Sequence, residues 1–275
     1  MVVTRCGGNL IRHIVVRIMS TTTTTIAHVS DLHVDGSRQK HERAARVIGY
    51  IARLPTPPDV VLATGDLADT GAPAEYDEVR DLFAELSGPP LLCPGNHDAR
   101  AAFRSHLLRL PEADTPINQA RVVAGGLFAL CDSTVPGQAG GAFDDTTLRW
   151  LDRTLDEHRG LPAFIACHHP PTTLHSPFID AINLDDGESL AGVICRHDNV
   201  VALLCGHAHT AAVTSFANRP LLVAPGVSST LKLPLELADD WQYSDVLDLS
   251  APPMLAFHIV ADDGRVTTHH RALPG

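Results

Sequence analysis

The 275-residue chain predicts an α/β fold of two mixed β-sheets packed face to face, with helices on both outer faces. Three observations carry that expectation. Short apolar runs rich in β-branched residues alternate with segments of helical periodicity. Nearly every run ends on a short polar string. After His209 the helical segments give way to strand-like runs alone, which predicts a second sheet lying on the first.

In chain order, TTTIAHVS precedes Asp31, DVVLAT precedes Gly65, PLLC precedes Gly95, LPAFIAC precedes His168 and NVVALLC precedes Gly206. Each reads as a buried strand closed by turn residues. LFALCDS, Leu127 to Ser133, is a sixth such run and ends on Asp132 without a ligand motif. Helices are predicted over His41 to Leu54, Ala74 to Leu86, Asp145 to His158 and Ser189 to His197. AAVTSF, RPLLVAP, LAFHIVA and RVTTHH follow as strands, with Asp262–Asp263–Gly264 as a hairpin turn. Residues 1–20 read as an amino-terminal extension and 21–275 as one domain, because no linker or charge run divides the rest.

Composition narrows the function. A 44% hydrophobic and 19% charged chain can build a core of its own. The net charge of −11 argues against long nucleic acid as a partner, since a phosphate backbone is bound through a basic face. Six cysteines lack any CxxC pair and lie mostly in apolar runs, the pattern of buried thiols in a reducing cytoplasm. No run of 18 apolar residues offers a membrane span.

The polar strings are DLH (Asp31–His33), GDLAD (Gly65–Asp69), GNHD (Gly95–Asp98), HHPP (His168–Pro171) and GHAH (Gly206–His209). Together they supply oxygen and nitrogen ligands and no sulfur. That donor set suits a pair of divalent ions, in which carboxylate offsets charge while imidazole and amide complete each shell. In open α/β sheets the ligand site lies beyond the carboxyl ends of the strands, where all five strings fall.

Five strings in this order, each at a predicted strand end, resemble the calcineurin-like metallophosphoesterase superfamily over roughly Ile26 to Ala261. The resemblance implies that Asp31, His33 and His209 hold one ion, that Asn96, His168 and His207 hold the other, and that Asp66 bridges both. His168 is preferred to His169 because the family presents His-x-Pro; neighbours on a strand end point to opposite faces, so His169 is expected to line the rim or pack. The resemblance makes His97 the group that contacts the phosphoryl oxygen and protonates the leaving group, with Asp69 orienting it through its other ring nitrogen. Asp98 is a candidate support or a solvated turn carboxylate. Manganese and iron, or two manganese ions, are the expected cofactors, with zinc as an alternative. A water activated by both ions would attack phosphorus in line.

ATGDLADTGAPAEYDEVRDLF, LLCPGNHDAR, DSTVPG and ACHHPP look like the bacterial class III cyclic nucleotide phosphodiesterases, including mycobacterial members. Hydrolysis of 3′,5′-cyclic AMP is therefore expected, with glycerophosphodiesterase or broad phosphodiesterase activity as the alternative and a non-catalytic scaffold of the same fold as a remote one. After Ser228 the likeness fades. Leu174 to Glu188 is read either as a cap loop, with Phe178 and His169 among the substrate contacts beside Asn96 and His97, or as a surface loop that serves a homodimer. His28 reads as a hydrogen-bonded core residue, and Trp150 and Trp241 as packing.

Overall fold

In the computed structural model, which describes residues 23–274, two sheets face each other. The first runs β11-β10-β1-β2-β3, where β1 is Thr24–Val29, β2 Val60–Thr64, β3 Leu91–Cys93, β10 Met254–Val260 and β11 Val266–Ala272. The second runs β8-β9-β7-β6-β5-β4, with β4 at Gln119–Val123, β5 Gly126–Leu130, β6 Ala163–Ala166, β7 Val200–Cys205, β8 Ala212–Phe216 and β9 Arg219–Val223. β1, β2 and β3 pair in parallel, as do β5, β6, β7 and β9; antiparallel hairpins form one edge of the first sheet and both edges of the second, and β3 is the other, parallel edge of the first.

Three apolar layers fix the stack. Helices Arg38–Ala52 and Pro73–Phe83 bury Val47, Ile48, Tyr76 and Val79 with Ala27 and Val29 on the outside of the first sheet. Helices Asp145–Glu157 and Gly187–Ile194 bury Leu151, Leu155, Leu190 and Ile194 with Leu127 and Ile165 on the outside of the second. Between the sheets Ile26, Leu62 and Val260 meet Phe128, Phe164 and Leu204, the two phenylalanine rings stacked with centroids 5.0 Å apart. Strand alternation thus gives each parallel strand one face for helices and one for the other sheet.

The expected elements form, but their division between sheets differs from the expectation. The carboxyl-terminal strands do not make a sheet of their own: β8 and β9 extend the second sheet, whereas β10 and β11 return to pair with β1 of the first. Local periodicity marks a strand and says nothing of its partner. The first helix begins at Arg38, capped by Ser37, because a polar first turn carries no apolar signal. Strand β4 and the π-helix Phe103–Leu108 were not expected; β4 is an exposed edge strand turned into β5 by Ala124 and Gly125, both with positive φ. Trp150 packs on the second sheet's outer layer, but Trp241 is exposed, which corrects the packing reading. Cys93, Cys131, Cys167 and Cys205 are buried free thiols, and Cys195 is exposed. The amino-terminal extension and Cys6 lie outside the described residues. Among the described residues no helix is long and apolar enough to cross a membrane.

Two buried polar groups carry the packing. Asp132, at the end of β5, accepts from Arg100 Nε at 2.8 Å, Ile117 N at 2.8 Å, and Thr134 N and Oγ1 at 2.9 and 2.7 Å. It ties the segment between β3 and β4 to the sheet. His28 is a core residue as expected: its Nε2 lies 2.8 Å from Thr64 Oγ1 and its Nδ1 3.0 Å from His258 Nε2, and His258 reaches Thr268 Oγ1 at 2.9 Å.

Replacing Asp132 by Ala strands a largely buried guanidinium, and urea unfolding should show a loss of about 3–5 kcal/mol. Burial, then the nearby His270, lowers His258 to about 3, and burial, then His258 and His270, lowers His28 well below its ordinary value. Between the unfolded value near 6.5 and those folded values the unfolded chain binds more protons, so stability is full above pH ~6.5 and falls with acidification. Thermal unfolding from pH 7 to pH 5 should show this slope, flattened in His258→Gln by about 1 kcal/mol for each pH unit.

Candidate metal centre

The carboxyl ends of β1, β2 and β3 from one sheet and of β6 and β7 from the other open onto one rim, so the five polar strings meet at the seam between the sheets. Main-chain bonds stitch them together: Asp31 N donates to Gly65 O at 3.1 Å, His33 N to Asp66 O at 2.9 Å, and Gly206 N to His168 O at 3.0 Å. The backbone turns sharply where the side chains must face inward. Asp31, His33, Asp66, His207 and His209 all have φ between 46° and 69°, a left-handed conformation that costs a non-glycine residue about 1–2 kcal/mol. Gly65, at φ 91°, sits where three strings touch: a Cβ there would lie 2.6 Å from Gly95 N and 2.7 Å from His168 Nδ1.

Four imidazoles and two carboxylates crowd the centre. His33 Nε2 lies 3.4 Å from Asp66 Oδ2 and 3.2 Å from His209 Nε2; His168 Nε2 lies 3.3 Å from the same Asp66 oxygen and 3.2 Å from His207 Nδ1. His209 Nε2 is 3.5 Å from Asp31 Oδ1. Asp66 Oδ2 therefore stands between the His33–His209 pair and the His168–His207 pair. Three of the imidazoles spend Nδ1 on a fixed protein oxygen: His33 on Asp69 Oδ1 at 3.0 Å, His168 on the Thr64 carbonyl at 2.6 Å and His209 on Ser229 Oγ at 2.8 Å. Such bonds fix the ring and leave Nε2 aimed inward.

Burial sets the electrostatics. It pushes Asp31 up to about 6, against the pull of His168. Asp66 is equally buried, yet His168 and then His33 hold it well below the carboxylate range. Burial alone would lower His168, but the charges of Asp66 and Asp31 raise it to about 9. His209 drops to about 4, mainly through burial. The charges of Asp66 and Asp31 thus favour the cationic form of His168.

The residues fit a metal pair. Asp31 Oδ1, Asn96 Oδ1 and His207 Nε2 are buried and lack a hydrogen-bond partner among the described residues. Uncompensated buried acceptors of this kind are costly unless a cation meets them. Ligand atoms of Asp31, His33 and His209 lie within 4.8 Å of one another, as do those of Asp31, Asp66 and His168.

His97 is exposed and sits at the rim, its ring centroid 4.6 Å from that of His33. Its Nδ1 donates to the main-chain carbonyl of Asp69 at 2.6 Å, and its N–H to Asp66 Oδ1 at 2.9 Å. The expected Asp69–His97 contact exists, but through the carbonyl. The Asp69 carboxylate instead takes His33 and Lys40 Nζ, the latter at 2.8 Å, and these bonds hold it below its ordinary range. Asp98 is no solvated turn residue: it is buried and accepts from Leu67 N, Ala68 N, Gly95 N and Tyr76 Oη, clamping GDLAD to GNHD.

His169 does not line the rim. It is buried, with Nδ1 2.7 Å from Ser133 Oγ and Nε2 3.1 Å from Ala139 O. Its ring is close to His168 and His207, but both nitrogens are spent on protein oxygens, so it latches the segment 133–141 beside the site. Phe178 lines a cavity of about 480 Å³ that also reaches His33, Asp66, Asn96, His97, His207 and His209. Lys40 and Ser229 carry no sequence signal of their own, since one lies in a polar helix turn and the other in a featureless Ser-Ser-Thr.

Residues 24–211 match the family model described as Calcineurin-like phosphoesterase. A probable cyclic nucleotide phosphodiesterase of Synechococcus is 32% identical, covering 80% of this chain and 86% of that one. The glycerophosphodiester phosphodiesterase GpdQ of Enterobacter lignolyticus is 28% identical over 89% and 90% of the two chains. A cAMP/cGMP dual specificity phosphodiesterase of Mycobacterium tuberculosis is 29% identical over 76% and 69%. Among solved structures, a dimetal phosphatase of Danio rerio superposes with a TM-score of 0.69 at 15% identity, over 90% of this chain and 96% of that one.

Asp66→Ala removes the carboxylate shared by both ligand groups. Metal analysis of the reconstituted variant should find fewer than two ions for each chain, with activity lost in parallel.

Proposed function

We propose that this chain, which belongs to the calcineurin-like phosphoesterase family, opens 3′,5′-cyclic AMP to AMP. That the protein is a metal-dependent phosphodiester hydrolase follows from the family and from relatives named as phosphodiesterases. The buried, unpartnered atoms on Asp31, Asn96 and His207 around Asp66 carry the metal-dependent part of the reading, and the relatives named as cyclic nucleotide phosphodiesterases support its substrate.

Asp31, His33 and His209 would hold one divalent ion, Asn96, His168 and His207 the other, and Asp66 would join both. When bound, such ions supply Lewis acidity toward the phosphoryl oxygens and lower the pKa of water toward ~7. Oxygen and nitrogen donors suit manganese with iron, or two manganese ions, with zinc as the alternative.

The chain's own residues do the rest. His97 has Nδ1–H committed to the Asp69 carbonyl, so Nε2 is the nitrogen left to address substrate. Protonated at that atom, it donates to O3′ as the P–O3′ bond breaks, while water supplies the new oxygen on phosphorus and yields the 5′-monophosphate. The main-chain N–H of His97 donates to Asp66 Oδ1, which anchors the backbone of the proton donor beside the shared carboxylate. Asn96, one residue earlier, presents its amide to the same cavity.

A glycerophosphodiesterase is the second reading, favoured by the near full-length match to GpdQ. Steady-state assays of the manganese- or iron-loaded protein with cyclic AMP, 2′,3′-cyclic AMP, glycerophosphocholine and bis(p-nitrophenyl) phosphate separate the two. The highest kcat/KM should fall on cyclic AMP; a preference for glycerophosphocholine would replace the first reading with the second.

His97→Ala should keep its metal content and lose about 10²–10⁴ in kcat on cyclic AMP, whose alkoxide leaving group needs a proton. The loss should shrink on a nitrophenyl diester, whose leaving group does not.

A further inference from the structure

The cavity over the candidate centre has a divided lining. Its polar residues are the ligands, His97, and their supports Lys40, Asp69, Ser228 and Ser229. The rest is apolar and includes Phe178, Ile179, Ile182, Leu231, Leu247 and Leu249. Leu247 and Leu249 keep 42% and 47% of their surface exposed, although large apolar side chains gain by leaving water. They come from the stretch beyond residue 211, outside the family match.

That stretch is tied directly to the centre. Residues Leu247–Asp248 pair with Thr230–Leu231, immediately after Ser229, which holds His209. Arg43, on the first helix, donates to the carbonyls of Val227 at 3.0 Å, Leu249 at 3.3 Å and Ala251 at 2.8 Å. Val227 N and Ser228 N in turn bond Ser30 O and Asp31 O. One guanidinium therefore joins the strand end that carries Asp31 to the segment that carries the two leucines.

We propose that Leu247 and Leu249, with Phe178 and Ile182, form an apolar slot that receives the ring-bearing ester group of the diester, and that Arg43 is the positioning residue that holds this wall against the metal centre. The inference rests on the phosphodiesterase reading and adds the basis of substrate choice. A nucleoside offers a flat ring face to such a wall. A glycerol or ethanolamine group offers hydroxyls or an ammonium that would lose water there without gaining a partner. Lys40, the cation in the lining, is already engaged by Asp69 at 2.8 Å and Asp35 at 3.3 Å.

The test measures kcat and KM of the reconstituted full-length protein on cyclic AMP and on glycerophosphoethanolamine, for the wild type, Leu247→Asn/Leu249→Asn and Arg43→Met, with metal content and Tm recorded for each. The ratio of kcat/KM for cyclic AMP over that for glycerophosphoethanolamine should fall about tenfold in the leucine variant, through a raised KM for cyclic AMP. Arg43→Met should change the ratio in the same sense, and Arg43→Lys should restore part of it. A ratio that stays constant while both rates change, or a fall confined to kcat, overturns the slot. Should the double variant fail to fold, the single Leu249→Asn change at an exposed position decides by the same ratio. A wild-type protein that hydrolyses neither diester after reconstitution overturns the phosphodiesterase reading instead, which keeps the two failures apart.

Discussion

Two carboxylates, Asp31 and Asp66, are buried together at the seam of two sheets, and the local structure is arranged to make that tolerable. Each is almost wholly removed from water, where an isolated charge is heavily penalised. Their charges raise the neighbouring His168 to about 9 against its burial, so part of the compensation comes from that ring. That is partial relief, because Asp31 Oδ1 still lacks a hydrogen bond. Divalent ions would bring more charge and fill the unsatisfied acceptors, and because imidazole binds a metal in its neutral form, metal uptake should release protons here.

The fold meets this demand by contributing from both sides. Asp31, Asp66 and Asn96 follow strands of the first sheet, and His168, His207 and His209 follow strands of the second. Neither sheet alone holds a complete set. Left-handed turns at Asp31, His33, Asp66, His207 and His209 spend backbone energy to aim side chains inward, and the main-chain bonds between strings, with the Asp98 clamp, hold the strain in place. The interior packing of Phe128 and Phe164 against Ile26 and Leu62 keeps the sheets together below the seam.

Much of this was legible in the residues because the signals are local. A run such as NVVALLC followed by GHAH states both a buried strand and what lies at its end. What stayed hidden depends on three-dimensional partnership. The return of Met254–Val260 to pair with Thr24–Val29 cannot be read from either segment, and it reassigned the sheets. Asp69 was read as a partner of His97 and is one, but a carbonyl and a carboxylate of the same residue serve different histidines, a distinction no string encodes. His169 was open between the rim and the interior, since a string fixes only that it points away from its neighbour; the alternation that turns it away buries it against Ser133. Arg43, Leu247 and Leu249 carry no motif, because a wall is defined by where the chain returns and not by its composition.

The two parts of the cavity are constrained to different degrees. Around the carboxylates the backbone is closely crowded, and a Cβ added at Gly65 or Gly95 would collide with backbone or with the His168 or Asp66 side chain. The leucine-bearing segment is held by a two-residue ladder, one guanidinium and the buried Val246, while Leu247 and Leu249 remain half exposed. A substitution at the seam disturbs charge balance, backbone strain and metal binding at once, whereas one at the wall changes only the surface that meets the substrate. Any phosphodiester small enough to enter presents the same phosphoryl group to the centre. What distinguishes one diester from another is the group attached to that phosphoryl, and the apolar wall is where such a group would rest. Discrimination between substrates can therefore shift on this fold without rebuilding the chemistry beneath it.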